Sequence, residues 1–387
     1  MISRGATTIC CNGAQLQDAI RRVKSASVEL EVSTDVLADD GRWEIPSECY
    51  RHVHIRVVRL TGRERISENL LAQPFIRFSI STTQELSLPT CRFISGQIDL
   101  RLDKVAHNLR KLELQAKQIS ILADHDARWK ENITNLTVWS EYVRPIPAFD
   151  THIAPWTNLV TLCCSNIAWP TCSSSPIHFS RLESLTFGGN ISHFHVLHLP
   201  ALRSLSVLER PTQCSAHPWS SSTIRKFPAL QTIKVEDADS GWLTALDLPV
   251  LRVFTLEQMY RNAIQREVRS LRLPPSPVER INIQVGDHRL FTQESLRAMP
   301  LLKHVVFEMW GELSWEKDVL AMFFEAGDIP CPHLEWIQFP KARPYDAALA
   351  NYIVDILRSV EALGLGSLRF IAIHWSDQGF IRYWREL

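Results

Sequence analysis

One string of apolar residues recurs between residues 179 and 256, and its recurrence restricts this chain to few folds. Each copy starts with an apolar residue, followed in three copies by proline, and continues with apolar residues spaced L-x-x-L-x-L. The four copies are Phe179-Ser-Arg-Leu-Glu-Ser-Leu-Thr-Phe187, Leu199-Pro-Ala-Leu-Arg-Ser-Leu-Ser-Val207, Phe227-Pro-Ala-Leu-Gln-Thr-Ile-Lys-Val235 and Leu248-Pro-Val-Leu-Arg-Val-Phe-Thr-Leu256. This spacing is typical of the strand of a leucine-rich repeat, and a recurring period of this kind indicates a solenoid.

The repeat extends well beyond these four copies. We call the first leucine of each repeat its anchor, and a valine takes that place once. The anchors are Leu109, Leu136, Leu159, Leu182, Leu202, Leu230, Leu251, Val278, Leu302, Leu334 and Leu368. Successive anchors lie about 20 to 34 residues apart, starting at the length of regular leucine-rich repeats and rising above it. We therefore predict an α/β fold, an irregular leucine-rich-repeat solenoid or horseshoe with a parallel strand ladder.

The longer repeats contain patterns typical of helices. Residues 314–324 begin with Ser314, whose hydroxyl suits a helix N-cap, and residues 346–363 carry an apolar stripe at helical spacing. Two strands with alternate residues inward are predicted at 53–60 and 75–80, before the first anchor. Strand followed by helix is thus the predicted unit of the solenoid.

The first 50 residues do not show the repeat. Leu16, Ile20 and Val23 share one helical face, and residues 27–33 alternate between apolar and polar as a half-buried strand does. We therefore predict that residues 1–50 form an N-terminal cap of one helix and an edge strand, and that residues 51–387 form the solenoid.

Composition and charge restrict the classes of partner and the cellular compartments that are compatible with this chain. The chain carries 42 basic and 42 acidic residues without a long run of one sign, which argues against a nucleic-acid or a membrane partner. No apolar run approaches the roughly 18 residues of a membrane helix, and the N-terminus lacks the apolar region of a signal peptide. Nine scattered cysteines without metal spacing are typical of a reduced environment. We expect an intracellular protein of the cytoplasm or the nucleus.

One group of histidines resembles a metal site in its spacing. His193 and His195 alternate and His198 follows, so the three imidazoles could meet on zinc. No carboxylate or thiolate motif accompanies them, and a loop with solvated histidines is the favoured interpretation. We predict no metal and no cofactor.

Signals for catalysis are equally weak. Cys163 and Cys164 lack a paired C-x-x-C, and Cys164 falls on an inward position, which favours a buried thiol. The string Asp124-His-Asp126 could hold a general base, but no nucleophile can be named beside it. Nucleophile elbows, phosphate-binding loops and zinc-protease motifs are absent from the sequence. We predict that the protein is not an enzyme.

The repeats resemble the C-terminal region of F-box proteins with irregular leucine-rich repeats, especially the expanded families of basidiomycete fungi. The resemblance is carried by the strings Leu199-Pro-Ala-Leu-Arg-Ser-Leu-Ser-Val207, Phe227-Pro-Ala-Leu-Gln-Thr-Ile-Lys-Val235 and Cys331-Pro-His-Leu-Glu-Trp-Ile337. Residues 16–32 are similar to the stretch that such proteins place shortly after the F-box. The resemblance implies a protein-interaction module, the substrate-recognition part of an F-box-type ubiquitin-ligase receptor.

The F-box itself is not visible in this sequence. Members of the family use that helical module to dock on the adaptor of a cullin ubiquitin ligase. We therefore expect the cullin-ligase adaptor as a partner only if an F-box is present upstream. The alternative is a stand-alone leucine-rich-repeat binding scaffold unrelated to ubiquitin, and in both cases the protein ligand is unknown.

The binding site is predicted on the strands. Strand residues that alternate with the buried apolar positions project from the opposite, concave face, where fixed side chains bind with little ordering cost. An exposed tryptophan on that face would be a binding anchor, and mixed charges favour a protein over a nucleic acid. The predicted protein-binding residues are Lys234, Glu236, Glu257, Arg280, His304 and Trp336.

Overall fold

The computed structural model describes residues 7–10, 27–33, 54–61, 65–66, 82–88, 92–93, 107–116, 127–145, 152–168, 177–188, 197–208, 225–236, 240–257, 274–285, 292–309, 316–324, 330–340, 347–359, 367–375 and 379–384. The chain forms two compact units, unit 1 (Met1–Leu199) and unit 2 (Pro200–Leu387). The predicted boundary between a cap and a solenoid at residue 50 stays a prediction. The predicted cap helix lies outside the described residues.

Unit 1 is a parallel-strand β-solenoid. Its described strands are β1 (Thr7–Cys10), β2 (Ser27–Ser33), β3 (His54–Thr61), β4 (Arg65–Ile66), β5 (Glu85–Leu88), β6 (Arg92–Phe93), β7 (Lys111–Gln115), β8 (Asn135–Pro145), β9 (Thr161–Ala168), β10 (Ile177–His178), β11 (Ser184–Phe187) and β12 (Leu197–His198). The long strands pair in the order β1-β2-β3-β5-β7-β8-β9-β11, and every pair is parallel. The two-residue strands form separate parallel pairs, β4 with β6 and β10 with β12.

Unit 2 repeats this architecture and ends it differently. Its described strands are β13 (Ser204–Leu208), β14 (Arg225–Lys226), β15 (Thr232–Glu236), β16 (Leu246–Asp247), β17 (Val253–Glu257), β18 (Arg280–Val285), β19 (His304–Met309), β20 (Trp336–Phe339), β21 (Phe370–Trp375) and β22 (Gly379–Trp384). The order is β13-β15-β17-β18-β19-β20-β21-β22, parallel throughout except that β22 is antiparallel to β21. β14 pairs with β16 in a short parallel ladder.

Few complete helices accompany the strands. Those that lie whole within the described ranges are α1 (Gln293–Arg297), α2 (Glu316–Phe324) and α3 (Ala347–Ser359), together with 3-10 helices at Ala127–Asn132 and Ser240–Ala245. Helices α2 and α3 fall where the sequence predicts them, whereas the predicted cap Ser314 lies outside the described residues. The regular strand–helix alternation of an α/β solenoid is therefore seen only in part, and two-residue strands occupy several of the return segments.

The core is built from alternate strand residues. In unit 2 the second residues of six neighbouring strands are paired in register and are each at most 1 % exposed. They are Leu205, Ile233, Phe254, Ile281, Val305 and Ile337. The same row in unit 1 consists of Leu86, Leu112, Leu136, Leu162 and Leu185, again at most 1 % exposed. Burying one such side chain stabilises the fold by roughly 1.5–3 kcal/mol, which each row shares among neighbouring strands.

The anchors are buried as predicted, but one of them is misassigned. All eleven are at most 1 % exposed. Ten of them precede the first residue of their strand by two positions, so that Leu202, Leu230 and Leu251 share one register position in unit 2. Leu136 instead pairs with Leu112 inside the ladder, and Ile133 takes the anchor place of that repeat. The string Thr134-Asn-Leu misled the prediction because it resembles the anchor strings in composition.

Tight turns explain the prolines beside the anchors. The anchor amide donates to the carbonyl three residues earlier at Leu230 to Phe227 (3.3 Å) and Leu251 to Leu248 (3.3 Å). Proline thus occupies the second residue of a four-residue turn, where its fixed φ is favoured. In unit 1 the same bond joins Leu182 to Phe179 at 3.4 Å, with serine in the proline place. The prolines therefore pre-order a turn that leads into each strand.

A shared carbonyl then starts nine of the described strands, namely β7, β8, β9, β11, β15 and β17–β20. The oxygen of Arg203 accepts hydrogen bonds from Gln231 and Thr232, at 2.9 and 3.0 Å, and the oxygen of Gln231 does the same for the next strand, at 2.8 and 3.0 Å. This arrangement recurs along both units, with Gln84 and Arg110 as acceptors in unit 1. Because buried backbone groups must be paired, these bonds hold each of these strands to its neighbour at one register.

The other strand predictions divide into confirmed and untested ones. The strand expected at 27–33 is β2, but it pairs with β1 as well as with β3, so it is not the edge strand that was predicted. The strand expected at 53–60 is β3. The strand expected at 75–80 lies outside the described residues. The sequence analysis did not predict β5, which lacks an anchor string, nor the antiparallel β22. In the described ranges, the chain contains no helix that combines the length and the apolar character needed to cross a membrane.

Candidate protein-binding face

The six predicted binding residues all lie on strands of unit 2 and outside its core. They occupy the first, third and fifth strand positions, which alternate with the buried second and fourth positions. We call the side chains at these odd positions of β13, β15 and β17–β20 the strand face of unit 2. Register divides the six into two groups. One contains Arg280, His304 and Trp336, and the other contains Lys234, Glu236 and Glu257.

The first group is a row of three neighbouring side chains. Arg280 pairs with His304 and His304 with Trp336, all at the first position of their strands. The His304 and Trp336 rings meet edge to face, with centroids 5.0 Å apart at 64°. Arg280 is exposed, whereas the two rings are half-buried. The row thus combines a solvent-accessible guanidinium with an aromatic pair, the residue types that carry most binding energy at protein interfaces.

The second group is an ion-pair cluster. The Lys234 ammonium lies 2.8 Å from Glu236 and 2.9 Å from Glu257, which face each other across β15 and β17. Partial burial lowers the pKa of Lys234, but hydrogen bonds and attraction from the two carboxylates outweigh burial and raise the pKa overall. Lys234 therefore stays charged at neutral pH and separates two carboxylates that would otherwise repel.

A hydrogen-bonded chain runs between the two groups. Arg280 Nε donates to Asn282 Oδ1 at 3.1 Å, and Asn282 Nδ2 donates to Thr255 Oγ1 at 3.2 Å. Thr255 pairs in register with Lys234. The strand face is therefore held in one arrangement by its own polar contacts. From the sequence, Thr255 was expected on this face, but neither Thr255 nor Asn282 was included among the predicted binding residues.

His304 is the titratable group of the aromatic row. Its Nε2 lies 3.8 Å from a Glu335 carboxylate oxygen. Partial burial lowers the pKa of His304; Glu335 opposes this shift, while the positive charges of Arg280 and Lys303 add to it. The net direction is downward from the ordinary value near 6.5. His304 is therefore mostly neutral at pH 7 and presents an uncharged ring beside Trp336.

Charge is distributed unequally across the strand face. The residue before each of these strands and the first strand residue form its N-terminal margin, with four cations against two carboxylates. They are Arg203, Arg252, Arg280 and Lys303 against Glu279 and Glu335. At the C-terminal margin the described charges are Glu236, Glu257 and Glu308, with Lys234 beside them. Four residue steps separate the margins, about 13 Å. This distance exceeds the screening length of about 8 Å at physiological salt. Salt therefore largely screens the charges of one margin from those of the other, and a partner meets two separately charged surfaces.

The basic margin was visible in the sequence but was overlooked. The residue that follows each anchor in unit 2 is Arg203, Gln231, Arg252, Glu279, Lys303, Glu335 or Arg369. Aligning the repeats on their anchors would have placed these residues in one row. The odd strand positions alone do not show it, because the row lies just before the strands.

The cysteines considered for catalysis, where the structure describes them, do not form a nucleophilic site. Cys164 is buried, and burial followed by the neighbouring Cys163 raises the pKa of its thiol well above the ordinary value. Burial raises the pKa of Cys331 to about 12. Both thiols are therefore protonated and poor nucleophiles. Within the described ranges no three His, Cys, Asp or Glu side chains group to hold a metal ion. The string Asp124-His-Asp126, like His193 and His195, lies outside them.

Comparison with known proteins adds no family to this description. The sequence matches no protein-family model, and it has no significant match among curated proteins.

Proposed function

We propose that this protein is a protein-interaction module whose partner binds on the strand face of unit 2. We further propose that the solenoid is of the irregular leucine-rich-repeat type, an α/β horseshoe in which this face is concave. The anchor strings support this, because they precede the strands at one register position and are buried in every repeat.

The separation of charge across the strand face carries the proposal. A basic N-terminal margin that also carries the aromatic pair, a central row of third-position side chains and an acidic C-terminal margin form three different strips on neighbouring strands. Nucleic acid would be repelled by the carboxylates of the acidic margin. A protein segment laid along the strand direction can match the strips, with acidic residues against the basic margin and basic residues against the acidic one.

Preorganisation supports the same conclusion. Lys234 is held by two carboxylates, and Arg280 is held through Asn282 by Thr255. Side chains that are already ordered lose little conformational entropy when a partner binds. The face therefore suits stable and specific recognition of a folded or extended protein ligand.

The finer proposal is substrate recognition for an F-box-type ubiquitin ligase. It is supported by the resemblance of the repeat strings to those of F-box proteins of basidiomycete type. A stand-alone binding scaffold is the alternative, and both proposals use the same face. The rate at which the bound partner is degraded in cells distinguishes the two proposals. If the protein selects ligase substrates, removing it from cells lengthens the half-life of the captured partner. A scaffold leaves that half-life unchanged.

The test of the binding face is a comparison of two variants in quantitative partner capture. The double variant Lys234→Glu with Trp336→Ala reverses one charge and removes the aromatic anchor on the strand face. Lys226→Glu is the matched control, because Lys226 is an exposed lysine of the short ladder β14–β16 in the same unit. We expect the double variant to lose specific partners that the control retains, while melting curves show that both variants are folded. Equal capture by both variants would show that the partner binds elsewhere.

A further inference from the structure

Two exposed histidines of unit 1 lie side by side on a short ladder. β10 and β12 are parallel, and His178 pairs in register with His198. Their ring centroids are 5.0 Å apart, with an interplanar angle of 55°. The pair lies on a two-stranded sheet separate from the long ladder and has no part in the function proposed above.

The backbone beneath the two rings is well anchored. Ile177 and Leu197, which precede the histidines, are buried and paired with each other. Phe179 follows His178, is fully buried, and donates its amide to the His198 carbonyl at 3.1 Å. Two imidazoles are thus presented to solvent from neighbouring rungs whose spacing the core maintains.

The spacing of the rings matches that of two imidazoles on one metal ion. Metal–nitrogen bonds are about 2.0–2.1 Å, which puts each ring centroid about 3.2 Å from the ion. For ligand angles between about 90° and about 109°, the two centroids then lie about 4.5–5.2 Å apart. The observed 5.0 Å falls within this interval. Little movement beyond rotation of the rings is needed for both to reach one ion.

We propose that His178 and His198 form a two-histidine chelate for a divalent late transition-metal ion. Imidazole nitrogen suits copper, nickel and zinc, and the general order of affinities favours Cu(II). Solvent exposure leaves the other coordination positions to water, so the ion is exchangeable. Sequence analysis examined His198 with His193 and His195, and it missed His178 because the partner lies one repeat away.

The test is titration of the full chain with Cu(II) alone, by calorimetry in a weakly coordinating buffer and by electron paramagnetic resonance. The variants are His178→Ala and His198→Ala, and His107→Ala is the matched control at another exposed histidine of unit 1. Removing either ligand abolishes the chelate, so each variant should bind Cu(II) weaker by about tenfold or more. The control should bind as the wild type does, and the resonance signal of two coordinating nitrogens should vanish in both variants.

Three results would overturn the proposal. In the first, both variants bind Cu(II) with wild-type affinity. In the second, only one variant loses affinity, since a chelate requires both rings. In the third, the control loses as much as the variants, which would mean unspecific binding to surface histidines. Circular dichroism melting verifies that the two alanine variants remain folded, as expected for exposed positions.

Discussion

The strand faces of the two units differ in chemistry although their strands are built alike. In both units, buried apolar side chains occupy the second and fourth strand positions. In both units, a backbone carbonyl of one repeat accepts two hydrogen bonds from the start of the next strand. In unit 1 the first and third positions of β5, β7, β8, β9 and β11 hold no aromatic residue, and their charged residues, Glu85, Lys111 and Glu113, lie together on β5 and β7. In unit 2 the odd positions hold the charged cluster and the aromatic row. The core rows thus make the fold, and the alternate rows are available for function.

Hydrogen bonds and ion pairs between neighbouring side chains add to the difference between the two strand faces. The carboxylate of Glu113 accepts a hydrogen bond from Ser87 at 2.6 Å, and Lys111 lies 3.3 Å from Glu85. These contacts leave little unbalanced charge among the first and third positions of those strands. In unit 2 the charges are instead sorted to opposite margins. A surface that sorts its charges can orient a partner, which a balanced one does less well.

The largest effect should come from disturbing a core row. Leu230→Asp places an unpaired charge at a fully buried anchor, and we expect unfolding to become easier by about 4 kcal/mol or more. Gln231→Asp, at the exposed neighbouring residue, is the control and should change stability little. Chemical denaturation measures both. Similar stability of the two variants would contradict the assignment of the anchor row to the core.

The next effect separates the two strand faces. Trp336→Ala should weaken partner binding by about 2 kcal/mol, or roughly thirtyfold, if the Trp336 side chain contacts the partner at the centre of the interface. Thr161→Ala removes a first-position side chain of unit 1 and should leave the affinity unchanged. The measurement is equilibrium binding of one captured partner to the purified chain. A larger loss for Thr161→Ala would move the interface to unit 1.

A smaller effect concerns the turns. Unit 2 uses proline at the second turn residue, as in Pro249, whereas unit 1 has Ser180 there. Ser180→Pro should therefore stabilise the protein by about 0.4–1 kcal/mol, and Pro249→Ala should destabilise it by a similar amount. Thermal and denaturant unfolding measure the two changes. Destabilisation by Ser180→Pro would mean that the turns of the two units differ in backbone conformation.

The smallest effect is a pH dependence at His304. Its pKa is lower in the folded state, so the unfolded chain binds the proton more readily and stability is lost as pH falls through about 6.5 toward the folded pKa. His304→Gln removes this contribution. The wild type should therefore lose slightly more stability than the variant between pH 7 and pH 5. Identical pH profiles would show that the environment of His304 is not the one described.

Sequence reasoning reached the architecture because the repeat is local. The interval from anchor to strand is short and recurs, so burial of Leu202 or Leu251 follows from their own neighbours in the chain. The antiparallel β22 has no such string, so the anchor pattern does not predict its pairing. Leu136 shows the limit of the method, since a leucine in a similar context belongs to another row.

From the sequence, the side of the sheet that carries the candidate site could be predicted, but not the contacts between its residues. Alternation predicts which side Lys234 and Trp336 occupy, and the structure places them there. The contact of Lys234 with Glu257 requires the register between β15 and β17, which the segment that joins them does not reveal. The adjacency of His178 and His198 was missed for the same reason. Register between strands is a long-range property, and the shared carbonyls and tight turns determine it.

The most direct test of the account is site-specific photo-crosslinking to a captured partner. A photoreactive residue is placed at Asn282, in the centre of the strand face, or at Lys226, on the short ladder. Crosslinked partner should form from position 282 and not from position 226, and Lys234→Glu should reduce its yield. Crosslinking from position 226 alone would contradict the central claim that the partner binds on the strand face of unit 2.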